Sequence, residues 1–203
     1  GCDVHSFKTP SAEELEHDFL WRTSRVLPER GKIGIFNRSY YEEVLVTRVH
    51  PEFLPAEKIP PNLITDKIWE KRFEDINAFE RYLGRNGIVV LKFFLNMSKR
   101  EQKRRFLDRL DLPEKNWKFS MNDVLERRHW EKYMSAYEEM IQNTSTKHAP
   151  WYVVPADHKW FTRMVVAEAV IAAMEDLDLS FPKIDAAKRK ELKKARGVLK
   201  REG

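Results

Sequence analysis

Apolar positions follow two rhythms along the chain. Ile88–Leu95 (IVVLKFFL) is a nearly continuous apolar run broken only by Lys92, the pattern of a strand buried on both faces. Three shorter runs read as further strands: Cys2–Phe7, Lys32–Phe36 (KIGIF) and Trp151–Val154 (WYVV), the last bounded by Pro150 and Pro155. Between them the spacing of apolar residues lengthens to three and four. Ser11 with Glu14 forms a capping box that opens a helix reaching Leu27, just before Pro28. Asp66–Leu83 carries Trp69, Phe73, Ile76, Phe79 and Leu83 on one helical face and is stopped by Arg85-Asn86-Gly87. Ser98 with Glu101 starts a helix to Leu110, and Ser120 with Asp123 starts a long one to Ile141. Asp157 caps a helix to Leu177 whose centre, Val165–Ala173, is almost wholly apolar.

Strands alternating with helices of this length predict an α/β fold around a mostly parallel sheet. Ligands of such sheets bind beyond the carboxyl ends of the strands. That rule singles out three loops. Asn37-Arg38-Ser39-Tyr40-Tyr41-Glu42-Glu43 follows KIGIF, Asn96-Met97-Ser98 and the basic stretch from Lys99 follow IVVLKFFL, and Pro155-Ala156-Asp157-His158-Lys159 follows WYVV. The first resembles a Walker B strand, four apolar residues leading to a magnesium-serving acid, with Asn37 in the acid's place. An amide supports a hydrated ion but brings no charge, and Asn37 reads equally as a turn residue. Arg38 offers a planar fork matched to phosphate oxygens. Glu42 and Glu43 could supply a carboxylate, although acids are also favoured in the first turn of any helix.

Residues 99–118 hold eight basic side chains against four acidic ones, and Arg127 and Arg128 extend the series beyond Pro113. Two basic helices joined by a short proline loop match a kinase lid, which swings cations over transferring phosphates. A solvated helix face with pairs such as Glu101–Arg105 is the competing reading.

Composition narrows the picture further. At 203 residues, 42% hydrophobic and 34% charged, the chain suits one soluble domain, and its longest apolar run is too short to cross a bilayer. Gly1–Thr9 shows no secretory signal pattern, and the lone Cys2 excludes an internal disulfide or a cysteine zinc cluster; a reducing cytoplasm is expected. The net charge of +5 is misleading, because Ala186–Gly203 alone carries eight Lys/Arg against two Glu. Basicity is therefore a property of the tail, read as a basic arm or a solvated helix end, and is no argument for nucleic-acid binding by residues 1–185. The six histidines show no metal-ligand spacing, and the six tryptophans sit mostly at core spacing.

Taken in order, GCDVHSFKTPSAEELEHDFLWR, GKIGIFNRSYYEEVLVTRVHPE, RRFLDRLDLPEKNWKFSMNDVLERRHWEKY and APWYVVPADHKWFTR make the chain resemble the polyphosphate kinase 2 family from Gly1 to about Pro182. The resemblance implies a P-loop kinase-like, thymidylate kinase-like parallel sheet flanked by helices, with a helical lid over about 99–128 in a domain of residues 1–185. It implies phosphoryl transfer between inorganic polyphosphate and adenine or guanine nucleotides with Mg²⁺, and assembly as a homo-oligomer, dimer or tetramer. The FNRSYYEEVLV form is similar to the branch that phosphorylates both nucleoside monophosphates and diphosphates. By this resemblance Arg38 is the Walker B arginine. Arg104, Arg105, Arg109, Lys115, Lys118, Arg127 and Arg128 are lid contacts to phosphate, and Asp157, His158 and Lys159 belong to the nucleotide; Asn37 and Glu42 are the weak metal candidates.

One feature of the family has no counterpart. Its phosphate-binding loop, G-x-D-x-x-G-K-x-G, matches nothing among the seven glycines and is expected upstream of Gly1, with the main metal-binding Asp. Two readings compete with the phosphotransferase: a non-catalytic module binding polyphosphate or nucleic acid, and an ATP-dependent nucleoside monophosphate kinase. For oligomerisation the helix Asp66–Leu83 is the candidate surface, unless its aromatic face serves its own core.

Overall fold

A computed structural model describes residues 1–202. Four parallel strands form as two pairs rather than one sheet. Strand β1 (Cys2–Ser6) lies beside β2 (Ile33–Asn37), with Cys2 opposite Ile33 and Ser6 opposite Asn37. Strand β3 (Lys92–Asn96) lies beside β4 (Trp151–Pro155), with Lys92 opposite Trp151 and Asn96 opposite Pro155. Only the second half of the apolar run Ile88–Leu95 joins a ladder, because β4 offers just five residues to pair with. Burial on both faces is not realised either. Val89, Leu95 and Val153 are about half exposed, as are Ile33 and Ile35 of β2, since each two-stranded pair leaves a face uncovered among the described residues.

The helices are α1 (Trp21–Ser24), α2 (Glu42–Val49), α3 (Ile68–Arg85), α4 (Lys99–Asp111), α5 (Met121–Glu126), α6 (Trp130–Thr144), α7 (Lys159–Asp176) and α8 (Ala186–Leu199). Short 3₁₀ turns punctuate them, among them Glu14–Glu16, Pro51–Glu57 and Arg127–His129. The expected helix from Ser11 to Leu27 is broken. Its capping box forms, with Ser11 N–H on Glu14 Oε2 at 2.7 Å and Glu14 N–H on Ser11 Oγ at 3.2 Å. Four residues on, the Asp18 carboxylate takes the Leu20 N–H at 2.9 Å, a local bond that competes with helix propagation. The helix expected from Ser120 to Ile141 is likewise split into α5 and α6 by the 3₁₀ turn at Arg127–His129.

The chain divides into two compact units, residues 1–165 and 166–203. In the first, Tyr40, Tyr41, Val44 and Leu45 around the start of α2 pack with Phe73 and Ile76 of α3 and Ala136 and Met140 of α6. Burying side chains of this size stabilises by about 1.5–3 kcal/mol each, which makes the α2–α3–α6 triangle the anchor of the unit. The apolar face of α3 is consumed here: Ile68, Phe73, Ile76 and Leu83 are buried in their own protomer. In the second unit α8 is a capped helix, Asp185 accepting the Lys188 N–H at 2.7 Å, and every one of its residues is exposed. Among the described residues no helix is long and apolar enough to cross a membrane.

Candidate active site

The carboxyl end of β2 delivers the first set of residues. Asn37 turns its amide toward the neighbouring strand, Nδ2 donating to Ser6 Oγ at 3.4 Å. Arg38 follows at φ 61°, in the left-handed region that non-glycine residues adopt at a cost. Its side chain is 63% exposed, and its ion pair with Glu42 Oε2 spans 3.9 Å, too long for a hydrogen bond. The guanidinium is thus available to an oxyanion. Glu42 opens α2, where burial pushes its carboxyl above the ordinary 4.5 against the opposing Arg38 and Arg22 charges. Glu43 faces the other way, toward the interior. Arg72 Nη1 donates to its carbonyl at 2.7 Å and its carboxylate at 3.4 Å, while Arg72 Nη2 binds Glu57. Burial first and the Glu57 charge second push the Glu43 carboxyl up to about 7, with Arg72 opposing.

The second set gathers where β3 and β4 end. The Ala156 N–H bonds the Asn96 carbonyl at 3.0 Å, drawing the two exit loops together. Ser98 caps α4, its Oγ accepting the Glu101 N–H at 3.1 Å, and its own N–H donates to Asp157 Oδ1 at 2.7 Å. That backbone bond holds the Asp157 carboxyl below its ordinary range. Arg105 stitches the same loops: Nη2 donates to the Ala156 carbonyl at 2.7 Å and the Asp157 carbonyl at 3.2 Å, and Nε to Glu101 Oε1 at 2.8 Å. Arg104 grips Glu101 with two bonds of 2.7 Å and Asp108 with one of 3.0 Å. These arginines, Arg104 above all, hold the Glu101 carboxyl down at about 2. Arg100, Glu101, Arg104, Asp157 and His158 line a cavity of about 290 Å³.

The rest of the basic series is partly neutralised within the segment. Arg109 binds Asp123 at 3.0 Å, Lys115 lies 3.8 Å from Asp108, and Arg127 donates to Gln102 at 2.6 Å. Lys118 sits over the Trp117 ring at 4.8 Å. The side chains of Arg100, Arg128 and Lys159 make no hydrogen bond or ion pair among the described residues. The sequence-predicted residues therefore fall into two groups. Asp157, His158 and Arg104 share a cavity with Arg100, while Arg38, Asn37 and Glu42 cluster at β2; no hydrogen bond or ion pair joins the groups among the described residues. The sequence pattern assigns Asp157 and Arg105 to ligands; in the structure Asp157 Oδ1 accepts the Ser98 N–H while the residue lines the cavity, and Arg105 donates to Glu101 and to the Ala156 and Asp157 carbonyls. Arg100 was hidden in a run of like charges. Its signal is position, two residues after the Ser98 cap, on the first turn of α4.

The two weak magnesium candidates, Asn37 and Glu42, lie together at the end of β2. The Asn37 amide is on Ser6, Glu42 faces Arg38, and among the described residues no group of three His, Cys, Asp or Glu side chains could hold a metal ion.

Parallel strand pairs with cationic exit loops, and a basic helical segment inserted between β3 and β4, define an α/β fold of the kinase type. The chain belongs to the polyphosphate kinase 2 family, whose profile matches residues 1–182. It is 53% identical over 200 residues to the ADP-polyphosphate phosphotransferase of Rhodopseudomonas palustris, covering 98% of this chain and 69% of that protein. It is 43% identical to the AMP/ADP-polyphosphate phosphotransferase of Meiothermus ruber, covering 94% of this chain and 67% of the relative. The crystal structure of polyphosphate kinase 2 from Arthrobacter aurescens TC1 superposes with a TM-score of 0.85 at 41% identity, over 95% of this chain and 65% of that one. The chain thus spans about two thirds of the length of these relatives.

Proposed function

We propose that this chain supplies strand-end loops and a lid over residues 99–128 to a phosphotransferase that moves phosphoryl groups between inorganic polyphosphate and adenine or guanine nucleoside mono- and diphosphates. The observation that carries the reading is Arg38: a strained, exposed arginine at a strand end, with only a loose partner, in a chain whose relatives are named for polyphosphate transfer to ADP or AMP. Arg38 orients phosphoryl oxygens from the rigid scaffold. The Arg100–Arg104–His158 cavity takes a second anionic group, and Lys118, Arg128 and Lys159 add charge on closure of residues 99–128. Glu101 keeps Arg104 oriented and cannot itself be protonated near neutrality. Catalysis rests on positioning and charge neutralisation, with no covalent enzyme intermediate. Magnesium belongs to the same reading, with Asn37 and Glu42 as weak candidates to support its hydration shell at the end of β2. A dimer or tetramer also belongs to it; α3, the candidate contact helix, buries Ile68, Phe73, Ile76 and Leu83 within its own chain and keeps Tyr82 exposed, and light scattering giving a monomer mass would refute the oligomer.

The test is Arg38→Ala in the full-length gene product, with polyphosphate and nucleotide as substrates. A lost charge-assisted contact to a transferring phosphoryl group costs about 2–4 kcal/mol, so turnover should fall roughly 100-fold and polyphosphate affinity with it. The melting temperature should hold, since the Glu42 pair at 3.9 Å contributes little. Near-normal turnover with a large loss of stability would make Arg38 a structural residue instead.

A further inference from the structure

A buried polar network starts two residues along the chain from Arg38, at Tyr40 and Tyr41, and none of the residues assigned above uses it. Glu80 of α3 has no exposed surface, and Lys92 of β3 is 5% exposed. The hydroxyls of Tyr40 and Tyr41 both donate to Glu80 Oε1 at 2.8 Å. Lys92 Nζ donates to Glu80 Oε2 at 2.6 Å, to the Tyr41 hydroxyl at 2.9 Å and to the Thr144 carbonyl at 2.7 Å. Thr144 in turn accepts the Trp151 indole N–H on Oγ1 at 2.9 Å. Every proton of the ammonium and both carboxylate oxygens are engaged, so the network is fully satisfied and has one geometry.

Stability alone is a poor reason for such a core. A buried ion pair replaced by well-packed apolar residues often leaves a protein as stable or more so. What the pair supplies is direction. Tyr40 and Tyr41 are consecutive, and their hydroxyls converge on one oxygen. Two rigid rings leaving adjacent Cα positions and meeting at a point fix the backbone that carries them. That backbone begins two residues after Arg38, whose left-handed conformation persists only where its surroundings over-determine it.

We infer that Glu80, oriented by Lys92, is a positioning residue that holds Arg38 in its phosphate-facing conformation through the hydroxyls of Tyr40 and Tyr41. The inference rests on the reading of Arg38 given above. Lys92 also explains its own place in the sequence: a charge in the middle of an apolar strand, where a solvent-facing residue has no reason to be.

The experiment is a double-mutant cycle on the full-length gene product: Tyr40→Phe and Tyr41→Phe, each alone and combined with Arg38→Ala. Rates are read as kcat and as kcat/KM for polyphosphate, alongside the melting temperature. Phenylalanine keeps the ring and removes only the hydroxyl, so each variant should fold. Each single Tyr→Phe change should lower kcat/KM about tenfold, and less than about twofold further once Arg38 is alanine, because residues acting as a unit are not additive. If the Tyr→Phe losses multiply undiminished in the Arg38→Ala background, or appear in the melting temperature alone, the network is structural and the inference is overturned while the role of Arg38 stands. If Arg38→Ala by itself leaves kcat/KM unchanged, the reading of Arg38 falls, and the inference falls with it.

Discussion

At the scale of single residues, protonation gives the sharpest expectation. The Glu43 carboxyl titrates at about 7 in the folded chain against an ordinary 4.5, so the folded state holds a proton that the unfolded state has released. Stability must therefore fall as pH rises from about 4.5 to about 7, and stop falling from this cause above that. Glu43→Gln should flatten the melting temperature across this window, and a slope identical to wild type would exclude Glu43 as its source. The same scale shows what sequence can and cannot carry. The sequence singles out Arg38 as a strand-end arginine, and the structure leaves its guanidinium 63% exposed with Glu42 at 3.9 Å. Asp157 and Arg105 were read as ligand contacts because their type and loop were right. Their hydrogen bonds, to the Ser98 N–H and to the Ala156 and Asp157 carbonyls, join segments more than fifty residues apart, and no local pattern announces such a bond.

At the scale of elements, α3 and α7 follow their apolar periodicity and α4 its Ser98 cap, whereas Asp157, expected to cap α7, gives its carboxylate to the Ser98 N–H of another loop; the departures are informative. The break between α5 and α6 sits beside a cluster that ties the core to the basic helical segment. His50, just past α2, is hydrogen-bonded through Nδ1 to Glu52 at 2.9 Å and through Nε2 to Glu126, at the end of α5, at 2.9 Å. The Tyr133 hydroxyl donates to the same Glu126 oxygen at 2.9 Å, and the His129 ring meets His50 edge-on at 5.0 Å. Burial pulls the imidazole down, but the bonds to Glu126 and Glu52 outweigh it and hold His50 above its ordinary 6.5. A raised folded value means the stabilisation is complete below 6.5 and is lost as pH climbs through the folded value. Melting temperature should thus decline on the alkaline side of 6.5, and His50→Gln should remove that part of the decline and leave the acid-side slope of Glu43 intact. The same variant should raise hydrogen exchange over 121–129, since Glu126 is the point at which His50 holds α5. Unchanged protection there would mean that the cluster does not hold the segment. Neither the break nor the cluster was readable in advance: the capping residues at Ser120 and Asp123 favour an uninterrupted helix, and His50 and Glu126 are 76 positions apart.

For the whole molecule, the alternation of strands and helices carried the α/β class, and the ordered match of whole segments carried the family, but neither carried the separation into two strand pairs. That separation is a matter of neighbours. A strand buried on both faces and one half exposed can share a composition, and Ile88–Leu95 has the composition of the first while β3 shows Leu95 half exposed. Charge is the other global property, and here sequence and structure agree that it is unevenly placed. Six of the eight Lys/Arg of residues 186–203 lie on α8, a helix with no buried residue, and Lys200 and Arg201 follow it, whereas the cations proposed to meet polyphosphate belong to residues 1–165. Long-range attraction by the tail and binding by the strand-end loops both weaken with salt, but they differ in what truncation does. Binding that neutralises phosphates at fixed sites loses affinity with the logarithm of salt in proportion to the number of contacts made. Deleting residues 186–203 should therefore lower affinity for polyphosphate at low ionic strength, keep most of the salt slope, and leave turnover of the full-length gene product within about twofold at physiological salt, where charges beyond roughly 8 Å are screened. The melting temperature should not move, because no buried surface is removed. A slope that collapses on truncation would place the polyphosphate on the tail and leave the arginines at the strand ends without their proposed ligand.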